Sequence, residues 1–116
     1  MKAGWLAVAA WALAACGPPS QVDAVNQGAS HGCAFYQRCG LIGSQSGAAY
    51  PDQDHCMISL QGQLNSYWPV AQCNNHINGS AFNACLTAMD NTACNNAADF
   101  LNTVLNKCGE STVCSG

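Results

Sequence analysis

Eight cysteines lie between positions 33 and 114 of this chain: Cys33, Cys39, Cys56, Cys73, Cys85, Cys94, Cys108 and Cys114. With Cys16 they make nine in 116 residues, a density that marks short disulfide-built exported domains. A folded part this small buries only a modest core. Four bridges at roughly 2–4 kcal/mol each are comparable with the whole net stability of such a domain, roughly 5–15 kcal/mol. The fold is therefore expected to depend on them. No Cys-x-x-Cys pair occurs among the eight; the intervening lengths are 5, 16, 16, 11, 8, 13 and 5 residues. That spacing argues against zinc knuckles, thioredoxin-like redox centres and covalent haem, each of which needs closely paired cysteines. Eight cysteines allow 105 pairings, so four bridges are expected and their connectivity stays open.

The ninth cysteine stands apart. Met1-Lys2 provides one positive charge, and Ala3 to Ala15 then runs without any. This is the layout of an export signal. At 1.5 Å per residue the apolar run makes about 20 Å of helix, short of the roughly 30 Å of bilayer hydrocarbon, so a permanent membrane span is disfavoured. The run ends in Leu13-Ala14-Ala15-Cys16, which resembles the lipobox of bacterial lipoprotein signals. That resemblance implies diacylglyceration of the Cys16 thiol, cleavage before it and acylation of the new amino terminus. Two or three acyl chains hold a protein on a bilayer stably where one does not. The competing reading is an ordinary secretory signal cut after Ala14, since Ala12-Leu13-Ala14 fits the small-x-small rule. Cysteine parity favours lipidation: without Cys16 the set is even, and with it one thiol is left over in an oxidising compartment.

The resulting division is a signal over residues 1–15, a lipidated Cys16 and flexible tether over 16–31, and a cysteine-rich domain over 32–116. The tether reading rests on Gly17 to His31, which carries Pro, Gly and polar residues without sustained periodicity. Beyond it the apolar spacing is helical. Met57, Leu60, Leu64 and Tyr67 recur at threes and fours, with Asp52 placed to cap the helix and Trp68-Pro69 to close it. Phe82, Cys85, Leu86 and Met89 form a second stripe, capped by Asn78. Ala97, Phe100, Leu101, Val104, Leu105 and Cys108 form a third, ended by Gly109. Cys33 to Cys39 is a shorter helical candidate, and no stretch alternates at period two. The expected fold is all-α: a small disulfide-rich bundle of three to four short helices.

Composition narrows the function. Charged residues are 8% of the chain, against roughly 25% in ordinary soluble domains. The formal charge of −3 becomes −4 once Lys2 is removed with the signal, leaving Arg38 and Lys107 as the bases. Two scattered bases can neither neutralise a run of phosphates nor hold a chain on anionic lipid, so no nucleic-acid partner is expected. The membrane is expected as a partner only through the lipid, with an envelope protein as a further possible partner.

The order Cys33-x5-Cys39, Tyr50 before Cys56-Met57, Trp68-x4-Cys73, Phe82-x2-Cys85-Leu86, then Cys94, Cys108 and Cys114 resembles a group of small cysteine-rich bacterial lipoproteins of unknown function. The resemblance covers residues 33–114. It implies an export signal, a lipobox and an eight-cysteine helical domain, and it brings no catalytic residue.

Candidate chemistry is sparse. Asp52, Asp54 and His55 cluster before Cys56 and could serve a small hydrolase or metal-dependent enzyme if His31 or His76 converged on them. The simpler reading is a capping acid beside a surface histidine. Neither Gly-x-Ser-x-Gly nor a glutamate pair is present, Glu110 being the single glutamate. Asn78-Gly79-Ser80 matches a glycosylation sequon, a modification not expected on a bacterial lipoprotein. Phe35, Tyr36, Tyr50, Tyr67 and Trp68 could line a groove, but Phe35 and Trp68 are expected in the core, because so small a domain has few other large residues to bury. The expectation is a non-enzymatic lipid-anchored envelope domain, without cofactor or metal, facing an oxidising space, on the outer membrane if the cell has one. A secreted inhibitor-like module without lipid is the other alternative to an enzyme.

Overall fold

The computed structural model describes residues 17–95 and 97–116, the side chains of residues 97–99, 101 and 105 excepted. The expected signal and Cys16 lie outside these residues. Among them there are six helices: α1 Gln21–Arg38, α2 Gln53–Tyr67, α3 Val70–Cys73, α4 Gly79–Asp90, α5 Ala97–Lys107 and α6 Glu110–Val113. Four are longer than two turns and α3 and α6 are single turns, so the all-α bundle is as expected with two short helices added. The described residues contain no strand, and one isolated parallel bridge joins Ile42 to Tyr50.

Helix α1 corrects the tether. The chain turns helical at Gln21, so residues 21–31, expected to be flexible, form more than half of an 18-residue helix. Ser20 caps it, its hydroxyl accepting from the Asp23 amide at 3.2 Å. The buried face is made largely of small residues: Ala24, Gly28, Ala29, Gly32 and Cys33. They recur at helical spacing, but their glycines have poor helix propensity, and most offer too little apolar bulk to register as a stripe. Their role is to bring α2 close. A methyl built on Gly28 would sit 2.8 Å from Leu64 Cδ1 and 3.1 Å from the Trp68 ring. One on Gly32 would sit 2.5 Å from Leu60 Cδ1 and 3.1 Å from Phe100 Cζ.

Helix α1 ends in a reciprocal pair of bonds. Gly40 N–H donates to Gln37 O at 3.2 Å and Leu41 N–H to Tyr36 O at 2.8 Å. Gly40 takes φ +69°, the left-handed turn that this helix ending requires. The chain then loops through residues 41–52 into α2, whose N-cap is Asp52 as expected. Helix α2 runs antiparallel to α1: Cys33 is bonded to Cys56, while Gln21 at the start of α1 reaches Trp68 just after α2. Helix α4, capped by Asn78 as expected, runs alongside α1 in the same direction, its start near Pro18 and its end at Asp90 beside His31. Helix α5 returns, with Phe100 stacked on Phe35 at 4.7 Å and Cys108 bonded to Cys85. Phe100, Val104 and Cys108 are buried, as the third stripe requires; Ala97, Leu101 and Leu105 fall among the side chains not described.

Trp68 is the centre of the packing at the end where α1 begins. It is fully buried, its indole N–H donates to Cys108 O at 2.7 Å, and its ring meets Phe82 edge-on at 5.8 Å. Its own carbonyl accepts from Gln21 Nε2 at 2.7 Å, and the same amide donates to Asn65 Oδ1 at 3.0 Å. Gln21 is buried with both Nε2 hydrogens engaged, so its polarity costs little. Trp68 and Phe35 thus belong to the core, as read from the sequence.

Candidate functional site

The eight cysteines of residues 33–114 pair completely: Cys33–Cys56, Cys39–Cys94, Cys73–Cys114 and Cys85–Cys108. The first joins α1 to α2, the second the end of α1 to the turn before α5, the third α3 to the residue after α6, and the fourth α4 to the residue after α5. Such a set belongs to an oxidising, extracytoplasmic compartment. No helix among the described residues is long and apolar enough to cross a membrane.

The three histidines do not converge. His31 on α1 faces Asp90 at the end of α4, with Nδ1 2.7 Å from Oδ1. His76 lies between α3 and α4, its Nδ1 3.1 Å from the Gly116 carbonyl. His55 is on the exposed first turn of α2, and its Nδ1 is 2.7 Å from Asp52 Oδ1. That same oxygen accepts the His55 backbone N–H at 2.8 Å. Asp52 is therefore the helix cap first, and the ring bond reinforces it. The two donors from His55, backbone foremost, hold the Asp52 carboxyl below its ordinary value. Asp54 sits exposed beside them. Among the described residues no three His, Cys, Asp or Glu side chains gather as a metal site would require.

The sequon asparagine is committed to structure. Asn78 Oδ1 accepts the Ala81 N–H at 3.0 Å and its Nδ2 donates to Ser115 Oγ at 3.2 Å. The aromatic residues gather inward. Tyr36 packs edge-on against Phe35, Tyr50 and Phe100, and Tyr50 and Tyr67 are partly buried against the core. The crevice beneath Tyr67, between Gly28, Leu64, Met89 and Phe100, has a volume near 10 Å³, about that of one water position.

Larger clefts open at the other side of the α1 start. One of about 630 Å³ runs between Pro18, Ser20, Gln27, Ser80 and Asn83, with Asp23 as its single charged residue. A second of about 500 Å³ lies between Pro18, Pro19, Asn75, Ile77 and Gly116. Sequence reasoning did not single out this region, because its polar side chains come from α1, α4 and the chain end. The one local signal was Gly17-Pro18-Pro19-Ser20, where two prolines precede a capping residue.

No curated protein and no solved structure matches the chain. A family model does match residues 33–116, from the Cys33 of the first bridge through the last described helix. The chain belongs to that group, a family of unknown function (DUF6184).

Proposed function

We propose that this is a lipid-anchored domain of the bacterial cell envelope, acting by binding or as a structural element and not by catalysis. The observation that carries this reading is the closed pairing of the eight domain cysteines, which leaves none of them for Cys16. Cys16 sits at the end of a signal-like run in the context Leu13-Ala14-Ala15-Cys16, where acylation would consume its thiol. Gly17 follows, and not the aspartate that resembles an inner-membrane retention signal, which favours the outer membrane where the cell has one. The commitment of Asp52 to the α2 cap and of His55 to Asp52 gives the hydrolase reading no support.

Intact mass spectrometry of membrane-extracted protein tests this. The expected species begins at Cys16, carries two or three acyl chains and lacks eight hydrogens for its four bridges; Cys16→Ser abolishes partitioning into detergent. A mature chain recovered in the aqueous phase without acyl mass would overturn the proposal in favour of a secreted module. Binding partners would be sought by crosslinking in intact envelopes.

A further inference from the structure

Helix α1 begins at Gln21 with Ser20 as its cap, so only four peptide links separate Cys16 from the folded body. At no more than about 3.6 Å per residue, fully extended chain reaches about 14 Å. That is shorter than the polar headgroup region plus a domain diameter, and it cannot let the bundle turn freely above a bilayer. The end facing the anchor is fixed by the helix directions. It holds Pro18, Pro19 and the start of α4, which the clefts around Pro18 bring together, and Val22 and Val70, one residue past Gln21 and two past Trp68, the pair that a hydrogen bond joins. The opposite end, about 27 Å away along α1, holds Arg38, the 40–50 loop and Thr92.

The two ends differ in chemistry. The described chain exposes three large aliphatic side chains, Val22, Ile58 and Val70, and two of them sit at the anchor end. Around them the surface is largely proline, serine, asparagine and glutamine, with three charged residues: Asp23 in the cleft beside Pro18, and Lys107 and Glu110 on either side of Cys108, whose carbonyl accepts the Trp68 indole N–H. Arg38 is held at the far end, over the Phe35 ring at 5.4 Å and on Thr92 O at 2.9 Å. Of the two bases in the described residues, Arg38 is thus at the far end and Lys107 at the anchor end.

We infer that the end of the bundle bearing Gly17–Ser20, Val22 and Val70 rests on the lipid headgroup layer, so that α1 and α4 stand up from the membrane. This rests on the lipid-anchor reading. The contact is made mainly by small apolar and uncharged polar groups, and the one base at this end, Lys107, is outnumbered by Asp23 and Glu110, so it needs no anionic lipid and survives added salt. The exposed working surface of the domain is then the Arg38 and 40–50 loop end.

The test uses the processed, acylated chain in phosphatidylcholine nanodiscs doped with a nitroxide-headgroup lipid, read by amide NMR. Ser20, Val22, Val70 and Ser80 amides are expected to lose most of their signal while those of Arg38, Gln45 and Thr92 keep theirs, with or without salt. The exposed double variant Val22→Asp/Val70→Asp should stay on the discs and flatten the gradient. Equal losses at both ends, or a gradient that needs phosphatidylglycerol, would overturn the docking and leave the anchor standing. Broadening that grows with protein concentration would assign the face to a second copy and also overturn it. Protein that does not remain with the discs overturns the anchor reading itself and the docking with it.

Discussion

Tyr36 shows how one side chain is shaped by its place in the fold. It closes the last turn of α1, and its carbonyl accepts the Leu41 amide. Its ring is buried edge-on against Tyr50 at 5.2 Å and Phe100 at 5.5 Å. Burial first, and the neighbouring Tyr50 phenol second, push its pKa from 10.0 up to about 12. The folded state thus holds a proton that the unfolded chain releases earlier. The associated stability is fully present below pH 10 and is lost as pH rises from 10 towards 12. A rapid phenolate absorbance titration should show a tyrosine ionisation step well above pH 10. Tyr36→Phe should remove that late step and weaken the alkaline loss of stability. A titration of folded wild-type protein that matches that of Tyr36→Phe above pH 10 would refute this. Nothing in the local sequence around Tyr36 announces the shift, because the groups that bury it come from the 40–50 loop and α5. Asp52 differs: its capping role is legible from Pro51-Asp52 and a following apolar stripe, since the oxygen and the amide it bonds lie three residues apart. The His31–Asp90 pair, separated by 59 positions, leaves no such trace.

Among the helices, the contact of α1 with α2 depends on Gly28 and Gly32 having no side chain. Gly32→Ala gains helix propensity but presses its methyl on Leu60 and Phe100, both buried and packed. The expected outcome is a net loss of about 1–3 kcal/mol, seen as a lower denaturation midpoint. Gly62→Ala, on the open side of α2 with no atom near the added methyl, is the control and should gain roughly 0.5–1 kcal/mol. A Gly32→Ala protein as stable as Gly62→Ala would mean the interface yields more easily than its geometry indicates. The same contact explains which helices could be read in advance. Helices α2, α4 and α5 carry large apolar residues at threes and fours, and their starts or ends bear recognisable caps. Helix α1 places glycine and alanine where bulk would normally declare a buried face, so its first half passes for a linker. Its apolar side is legible only once the residues that fill the gap, Leu60, Leu64 and Trp68, are known to stand opposite.

Across the whole molecule the bridges form one interleaved set. Cys39–Cys94 spans 55 residues and crosses each of the other three in sequence. Without it, Cys33–Cys56 would staple one half while Cys73–Cys114 and Cys85–Cys108 stapled the other, and only packing would join them. The number of bridges could be counted from the sequence, but this pairing is a property of how the helices stack. The joining bridge is also the accessible one: Cys94 is exposed and Cys39 partly so, whereas Cys33, Cys56, Cys73, Cys85 and Cys108 are buried. Limited reductant with alkylation and peptide mapping should label Cys39 and Cys94 first. A Cys39→Ser/Cys94→Ser variant should remain helical but lose up to about 4 kcal/mol, the loop-closure value for a span of this length. First labelling at Cys33 or Cys56 would contradict the burial order.

The interleaving bears on what happens when a protease reaches this surface. Every peptide bond from Cys33 to Cys114 lies inside at least one disulfide loop, because the spans 33–56, 39–94 and 73–114 overlap end to end. A single cut in the exposed 40–50 loop, or anywhere else in that range, therefore severs the backbone without releasing a fragment. The nicked protein remains one covalent body, and shedding any part of it takes either a second cut or reduction of every bridge that spans the first, which for the 40–50 loop means both Cys33–Cys56 and Cys39–Cys94.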